Sequence, residues 1–164
     1  MFKILKKDVL NPSIIRLEIE APYVAKKAKP GQFIILRTYE DSERLPFTIA
    51  GEDPEKGTVT IIFQIVGAGT VELNRLEEGD SLADFVGPLG RPSELEGLKR
   101  VAIIGGGAGC AIAYPLAYAL HKQGTEVTSV AGFRNKDLVI LEREFTDCSD
   151  VFVKMSDDGT WGEK

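Results

Sequence analysis

The chain has 164 residues, 43% apolar and 27% charged, enough apolar content for a core in one ordinary domain or two small ones. A net charge of −5 and a pI of about 5.0 exclude the clustered basic footprint of a nucleic-acid binder. Two cysteines are too few for a disulfide framework or a four-cysteine metal or cluster site, the single His121 cannot make a histidine metal site alone, no segment approaches the ~18 apolar residues of a membrane span, and the opening MFKILKKDVLNP lacks a signal-peptide run, so the cytoplasm is the expected location.

In chain order, SIIRLEIE alternates Ile15, Leu17 and Ile19 against Arg16, Glu18 and Glu20, the period of a half-buried strand. KPGQ turns the chain into the more buried strand FIILRTY, and PFTIA resumes after EDSER. The cluster GEDPEKG is a turn that hands over to strand TVTIIFQIV. GAGTVELNRLEEGD holds a short helix ending near Gly79, and SLADFVGPLGRP is a last strand running into a Gly/Pro loop. Closely spaced short strands with turn signals predict an antiparallel barrel or sandwich.

After SELEGLKR the pattern changes. VAIIG is a short, wholly apolar run, as expected of a strand in a parallel sheet. The helix AGCAIAYPLAYALHKQG follows, then strand EVTSVAG, helix DLVILEREF with Asn135 as N-cap, and strand VFVKM. This is a βαβαβ unit. The expected division is residues 1–96 and 97–164. Pro115 falls inside the predicted helix, where a kink or a late start is expected.

Three motifs carry chemistry. Gly105, Gly106, Gly107 and Gly109 lie between a buried strand and a helix, where a dinucleotide can approach the backbone. The plain alternative is a tight turn, but four glycines in five positions exceed what a turn needs. Cys110 stands where G-x-G-x-x-G would have its third glycine, and the second strand ends Ala131-Gly132-Phe133-Arg134 without an acid for a ribose, so a nucleotide would be bound in a different manner. In VGAGT, residues 66–70, Gly69 and Thr70 either present N–H groups and a hydroxyl to a phosphate, or Thr70 merely caps a helix. In RLPFTIA, Arg44 can pair with a phosphate, Phe47 can lie against a flat ring, and the Thr48 hydroxyl can bond a ring nitrogen. The alternative is a surface Arg, a core Phe and a strand Thr.

A β-rich half ahead of a nucleotide half, with these motifs, resembles the ferredoxin–NADP reductase superfamily, whose flavin motif is Arg-x-Tyr-Ser/Thr. KPGQF, RLPFTIA, VGAGT, GDSLADFVGPLG, VAIIGGGAGCAIAYPLA, GFRNKDLVILE and SDDGTWG are similar to the small (alpha) subunits of NADH-dependent reduced ferredoxin:NADP oxidoreductases, also called sulfide dehydrogenases, across the whole chain. The resemblance implies a six-stranded antiparallel FAD-binding barrel followed by a partial parallel-sheet NAD(P)-binding domain. Phe47 would back the isoalloxazine, Thr48 would bond near its reactive nitrogen, and Leu45 and Pro46 would line the same strand. Ile62, Phe63 and Gln64 would meet the ribityl and ring edge, and Gly69 and Thr70 the pyrophosphate. Gly106, Gly107, Gly109 and Cys110 would face the nicotinamide dinucleotide, Gly132 and Arg134 its adenosine end, and Asp158, Gly159 and Thr160 would close over it.

By the same resemblance, a hydride passes from NAD(P)H to FAD, and electrons leave singly for an iron–sulfur or ferredoxin partner beside a glutamate-synthase-like large flavoprotein subunit. No catalytic acid, base or metal ligand is implied, and no membrane or nucleic acid. Arg44 precedes Thr48 by four residues rather than the superfamily's three, which weakens its pyrophosphate role. The family's chains run on to a cysteine-rich segment holding a two-iron cluster, whose ligands do not occur in these residues. An open edge at VAIIG is therefore expected, covered by another chain or by the rest of a longer one. Type B dihydroorotate dehydrogenase electron-transfer subunits share the plan and stand as the alternative, with a non-catalytic remnant as a third reading. Arg134 can meet a 2′-phosphate, stack on adenine or face solvent, so NAD and NADP both stay open.

Overall fold

The computed structural model describes residues 2–164, and the chain divides after Pro92 into two compact units. The first unit holds seven strands: β1 (Phe2–Asn11), β2 (Ile14–Glu20), β3 (Phe33–Arg37), β4 (Leu45–Asp53), β5 (Thr58–Gln64), β6 (Ser81–Leu82) and β7 (Asp84–Leu89). They form one antiparallel sheet in the order β6-β1-β2-β5-β4-β3-β7. Only Ala83 separates the two edge strands, so the chain itself ties the ends of the sheet together and bends it into a nearly closed barrel. The expected strand count of six becomes seven because Ser81 and Leu82 add a short pair to Lys3 and Phe2.

β1 had no legible alternation, and its pairing explains why. Its register with β2 slips twice, between Ile4 and Lys6 and between Val9 and Asn11, and each slip reverses which side chains face the core. Ile4 is buried while Leu5 and Val9 are exposed. The strands that alternate cleanly do what their pattern predicts. Leu17 and Ile19 of β2, Ile34 and Leu36 of β3, and Val59, Ile61 and Phe63 of β5 form the core, joined by Phe85 of β7 and Leu73 of α2 (Ala68–Asn74). Each such side chain stabilises the fold by about 1.5–3 kcal/mol relative to exposure. The turn before β5 closes because Asp53 Oδ1 accepts from the N–H groups of Glu55 and Lys56, both at 3.0 Å. Gly57 follows at φ +70°, with no room for a Cβ against Pro22, the first residue of the short helix α1 (Pro22–Ala25).

The second unit holds β8 (Arg100–Gly106), α3 (Cys110–Lys122), β9 (Glu126–Phe133), α4 (Glu142–Asp147) and β10 (Val151–Ser156). Its three strands are parallel, in the order β10-β9-β8. Among the described residues β8 pairs only with β9, and Ile104 on it is 75% exposed, the open edge expected of VAIIG. A 3₁₀ turn at Gly107–Gly109 leads into α3, which runs unbroken through the buried Pro115. The helix expected over DLVILEREF is divided. Asn135 caps a 3₁₀ turn, Lys136–Leu138, by accepting from the Asp137 N–H at 3.0 Å. Leu141 then takes φ 58°, a left-handed conformation no α-helix tolerates, before α4 begins.

After β10 the chain folds back on itself. Ser156 N–H donates to the Glu163 carbonyl at 2.8 Å, Glu163 N–H to the Lys154 carbonyl at 2.9 Å, and Trp161 N–H to Ser156 Oγ at 2.9 Å. Trp161 is buried edge-on to Phe133, with ring centroids 5.5 Å apart.

Candidate functional site

In the barrel unit, β4 carries the RLPFTIA residues, and its two-residue period sorts them onto two faces. Phe47 pairs across the ladder with the fully buried Ile34, and its ring lies 5.6 Å from that of Phe63. Leu45 and Phe47 pack against the core. Pro46 and Thr48 are on the opposite face, opposite Ile35 and Phe33 of β3, and Val86 of β7 pairs with Ile35 there, 54% exposed. The result is a flat apolar strip with one hydroxyl, that of Thr48, which bonds to none of the described residues. Such a surface suits the face of an aromatic ring with a polar edge. Ile62 is half-buried and Gln64 exposed on β5. Arg44 is exposed, and no acid pairs with it among the described residues.

The loop before α2 is closed by Thr70. Its hydroxyl accepts from Val66 N–H at 2.9 Å and Gly67 N–H at 3.0 Å, and donates to the Gly67 carbonyl at 2.9 Å. That uses its one donor and both lone pairs, so Thr70 shapes the loop. Gly69 leaves the space beside it. A Cβ there would stand 2.1 Å from Glu43 Oε1 and 2.9 Å from Leu45 Cδ2. The glycine thus lets the exposed Glu43 side chain and Leu45 lie close against the backbone at this position.

In the second unit, Gly106, Gly132 and Met155 are neighbours in register at the carboxyl ends of the three parallel strands. Ligands of open parallel sheets bind at that end. A Cβ on Gly106, Gly107, Gly109 or Gly132 would meet nothing within 4 Å, so their backbone is open to a ligand. Gly105 differs: its Cβ would lie 3.0 Å from Cys110 Cα, so this glycine lets α3 sit close on β8. Cys110 is fully buried beneath the turn, and burial pushes its thiol up to about 11. Its Sγ packs against Gly105, where a buried, protonated thiol behaves as a small apolar group.

Around the end of β9, Arg134 is exposed and the Asp158–Thr160 turn is tied beside it. Asp158 N–H donates to the Arg134 carbonyl at 3.3 Å, and Lys136 N–H to Thr160 Oγ1 at 2.9 Å. Thr160 donates to Asp158 Oδ1 from its hydroxyl at 2.7 Å and its N–H at 2.9 Å, and these bonds hold the Asp158 carboxyl below its usual range. Gly132, Phe133, Met155, Ser156, Asp157 and Lys164 line a cavity of about 240 Å³ at this corner. Gly132, Arg134, Asp158, Gly159 and Thr160 are therefore together. Glu43, Phe33 and Ile35 escaped the sequence reading, because nothing local marks a contact between Glu43 and Gly69. Among the described residues no three His, Cys, Asp or Glu side chains could hold a metal, and no helix is long and apolar enough to cross a membrane.

No family model matches the chain. It is 48% identical over 168 residues to an uncharacterized protein in the adh 3′ region of Clostridium beijerinckii, covering 98% of this chain and 57% of that one. It is 43% identical over 162 residues to a homolog of the electron transfer subunit of dihydroorotate dehydrogenase B (NAD(+)) from Thermotoga maritima, covering 99% and 57%. Among solved structures, one from work on flavin-based electron bifurcation by the NADH-dependent reduced ferredoxin-NADP oxidoreductase superposes with a TM-score of 0.93 at 41% identity, covering all of this chain and 59% of that one. The chain thus spans somewhat over half the length of these proteins.

Proposed function

We propose that this chain, which has the fold of the ferredoxin–NADP reductase superfamily, is the FAD- and NAD(P)H-binding part of a flavoprotein electron-transfer subunit that serves an iron–sulfur or ferredoxin partner. The observation that carries the reading is the open glycine backbone at the carboxyl ends of β8 and β9, in one chain with the strip of Pro46, Thr48, Phe33 and Ile35 on a reductase-like barrel. On the barrel the residues suit the ring of FAD: an apolar strip with a free hydroxyl at its edge.

The chemistry supplied by bound FAD is the exchange of a hydride from NAD(P)H for single electrons. The chain's own part is binding and orientation. Thr48 donates or accepts at a ring nitrogen, and Pro46 supports the ring beside it. Phe47 and Phe63 stiffen the strand from the core side, while Ile62 and Gln64 border the site on β5. Leu45 walls the Gly69 seat, Thr70 holds its loop, and Arg44 is a free cation within the same segment. Gly106, Gly107 and Gly109 admit the dinucleotide to the backbone, Cys110 supports them from beneath, and Gly132, Arg134, Asp158, Gly159 and Thr160 border its adenosine end. A cytoplasmic location and a glutamate-synthase-like large flavoprotein partner belong to the same proposal.

Anaerobic titration of the purified chain with NADH and with NADPH, following flavin bleaching, tests it. Bleaching by either nucleotide supports the reading and identifies the preferred one; a chain that binds no FAD sinks it. The second reading, a type B dihydroorotate dehydrogenase subunit, is favoured by the 43% identity to the Thermotoga maritima homolog of that electron transfer subunit. Co-purification with a dihydroorotate-oxidising subunit rather than a glutamate-synthase-like one would select it.

A further inference from the structure

We infer that Asp157 supplies the ribose-binding acid that the end of β9 lacks, and that its charge makes the chain select NADH over NADPH. This rests on the nucleotide reading of the second unit above. In open parallel sheets that bind dinucleotides, an acid at the end of the second strand accepts from the ribose 2′-hydroxyl, and a cation there takes the 2′-phosphate instead. Here β9 runs out through Gly132-Phe133-Arg134, with no acid.

Three observations put Asp157 in that role. Ser156 pairs with Phe133 in the β10–β9 ladder, and the Asp157 N–H donates to the Phe133 carbonyl at 3.0 Å. The acid is therefore fixed level with the end of β9, one strand spacing of about 4.8 Å to the side. Asp157 also lines the cavity of about 240 Å³ at this corner together with Gly132, whose backbone is open. Its carboxylate is exposed and bonds to none of the described residues, so it is free to accept. The neighbouring Asp158 is not: its Oδ1 accepts from the Thr160 hydroxyl at 2.7 Å and the Thr160 N–H at 2.9 Å.

Charge decides the preference. A ribose with both hydroxyls offers the carboxylate a donor, which makes a charge-assisted bond. A 2′-phosphate offers none there and sets its own negative charge beside that of Asp157. Of the two cations at this corner, Arg134 does not line the cavity. Lys164 does, and it offsets part of the repulsion, so NADPH is disfavoured without being excluded.

Calorimetry with ADP-ribose and 2′-phospho-ADP-ribose tests this on the purified chain, without turnover, for wild type, Asp157→Asn and Asp157→Ser. Emission of Trp161, the one tryptophan, confirms that each variant is folded. Wild type is expected to bind ADP-ribose about tenfold tighter than its 2′-phosphate. Both variants should weaken ADP-ribose about tenfold and bring the two ligands within about threefold of each other. Wild type that binds 2′-phospho-ADP-ribose as tightly as ADP-ribose overturns the inference, even where a variant fails to fold. Folded variants that keep the wild-type preference overturn it too, and in both cases the nucleotide site stands. If neither ligand binds and neither NADH nor NADPH bleaches the flavin, the nucleotide reading itself falls, and the role of Asp157 with it.

Discussion

The Lys7 ammonium lies 2.6 Å from the carbonyl oxygen of Asn74, 67 residues further along the chain. It also donates to the Leu76 carbonyl at 2.8 Å and to Glu77 Oε1 at 2.9 Å, and its side chain is only 9% exposed. One cation from β1 therefore satisfies the Asn74 carbonyl at the end of α2, which helix geometry leaves without an internal partner, and the Leu76 carbonyl just beyond it. Replacing it strands polar groups rather than merely losing an ion pair. Lys7→Met is expected to lower stability by about 1–3 kcal/mol in urea denaturation. Lys6→Met, which removes an exposed pair with Asp8, should stay within about 0.5 kcal/mol of wild type.

Two adjacent glycines should respond oppositely to the same substitution. Gly105→Ala forces a Cβ to 3.0 Å from Cys110 Cα and 3.2 Å from Ala113 Cβ, and backbone cannot yield as a side chain does. A loss of about 1–3 kcal/mol is expected on thermal or urea unfolding. Gly106→Ala meets nothing within 4 Å and should leave the melting temperature nearly unchanged. Under the proposed function it should weaken NAD(P)H reduction of the flavin at least tenfold, and unchanged reduction would remove Gly106 from the nucleotide site.

The cysteines should be inert in the native chain. Burial holds the Cys110 thiol near 11 and pushes Cys148 up as well. At pH 8 a disulfide reagent should label neither in native protein and both in urea; rapid native labelling would contradict this burial. The sign for stability follows from Cys110. Its folded value lies above the ordinary 9.0, so the unfolded chain loses that proton first. Stability is unaffected below about pH 9 and falls as pH rises from 9 toward 11.

Lys154 holds the C-terminal turn. Its ammonium donates to Glu142 Oε1 at 2.5 Å and lies over the rings of Phe152 and Trp161, 5.7 and 5.8 Å from their centroids. The bond from Lys154 holds the Glu142 carboxyl below its ordinary 4.5. A depressed carboxyl stabilises the fold above its unfolded value, and that contribution disappears as pH falls through the lower folded one. Trp161 is the chain's one tryptophan, and it is buried, so its emission reports the turn. Acid titration should shift that emission to the red below pH 4.5. In Lys154→Met the red shift should already be present at neutral pH; an unchanged spectrum would show that the aromatic contacts alone hold the turn.

Several features are readable along the chain because they depend on neighbours in sequence. The alternation of Leu17 and Ile19, or of Val59, Ile61 and Phe63, needs only the pleat of a strand. The glycine run at 105–109 between an apolar strand and a helix likewise places a ligand-accessible backbone at the carboxyl end of a parallel strand without reference to the rest of the molecule. The change from antiparallel hairpins to strand–helix alternation separates the two halves on local pattern alone.

Other features came only from closure of the sheet and return of the chain. Period two puts Phe47 and Thr48 on opposite faces of β4, but only pairing with Ile34 decides that the core takes Phe47. The Thr70 hydroxyl could have served a ligand until the folded loop engaged all its bonding capacity. The two slips in β1 erase the alternation that would have announced it, because each bulge reverses the face. Glu43 on Gly69, Lys7 at the end of α2 and Trp161 against Phe133 join residues distant in the chain, and no local preference encodes such contacts. They form only when the barrel and the parallel sheet bring those segments into van der Waals range.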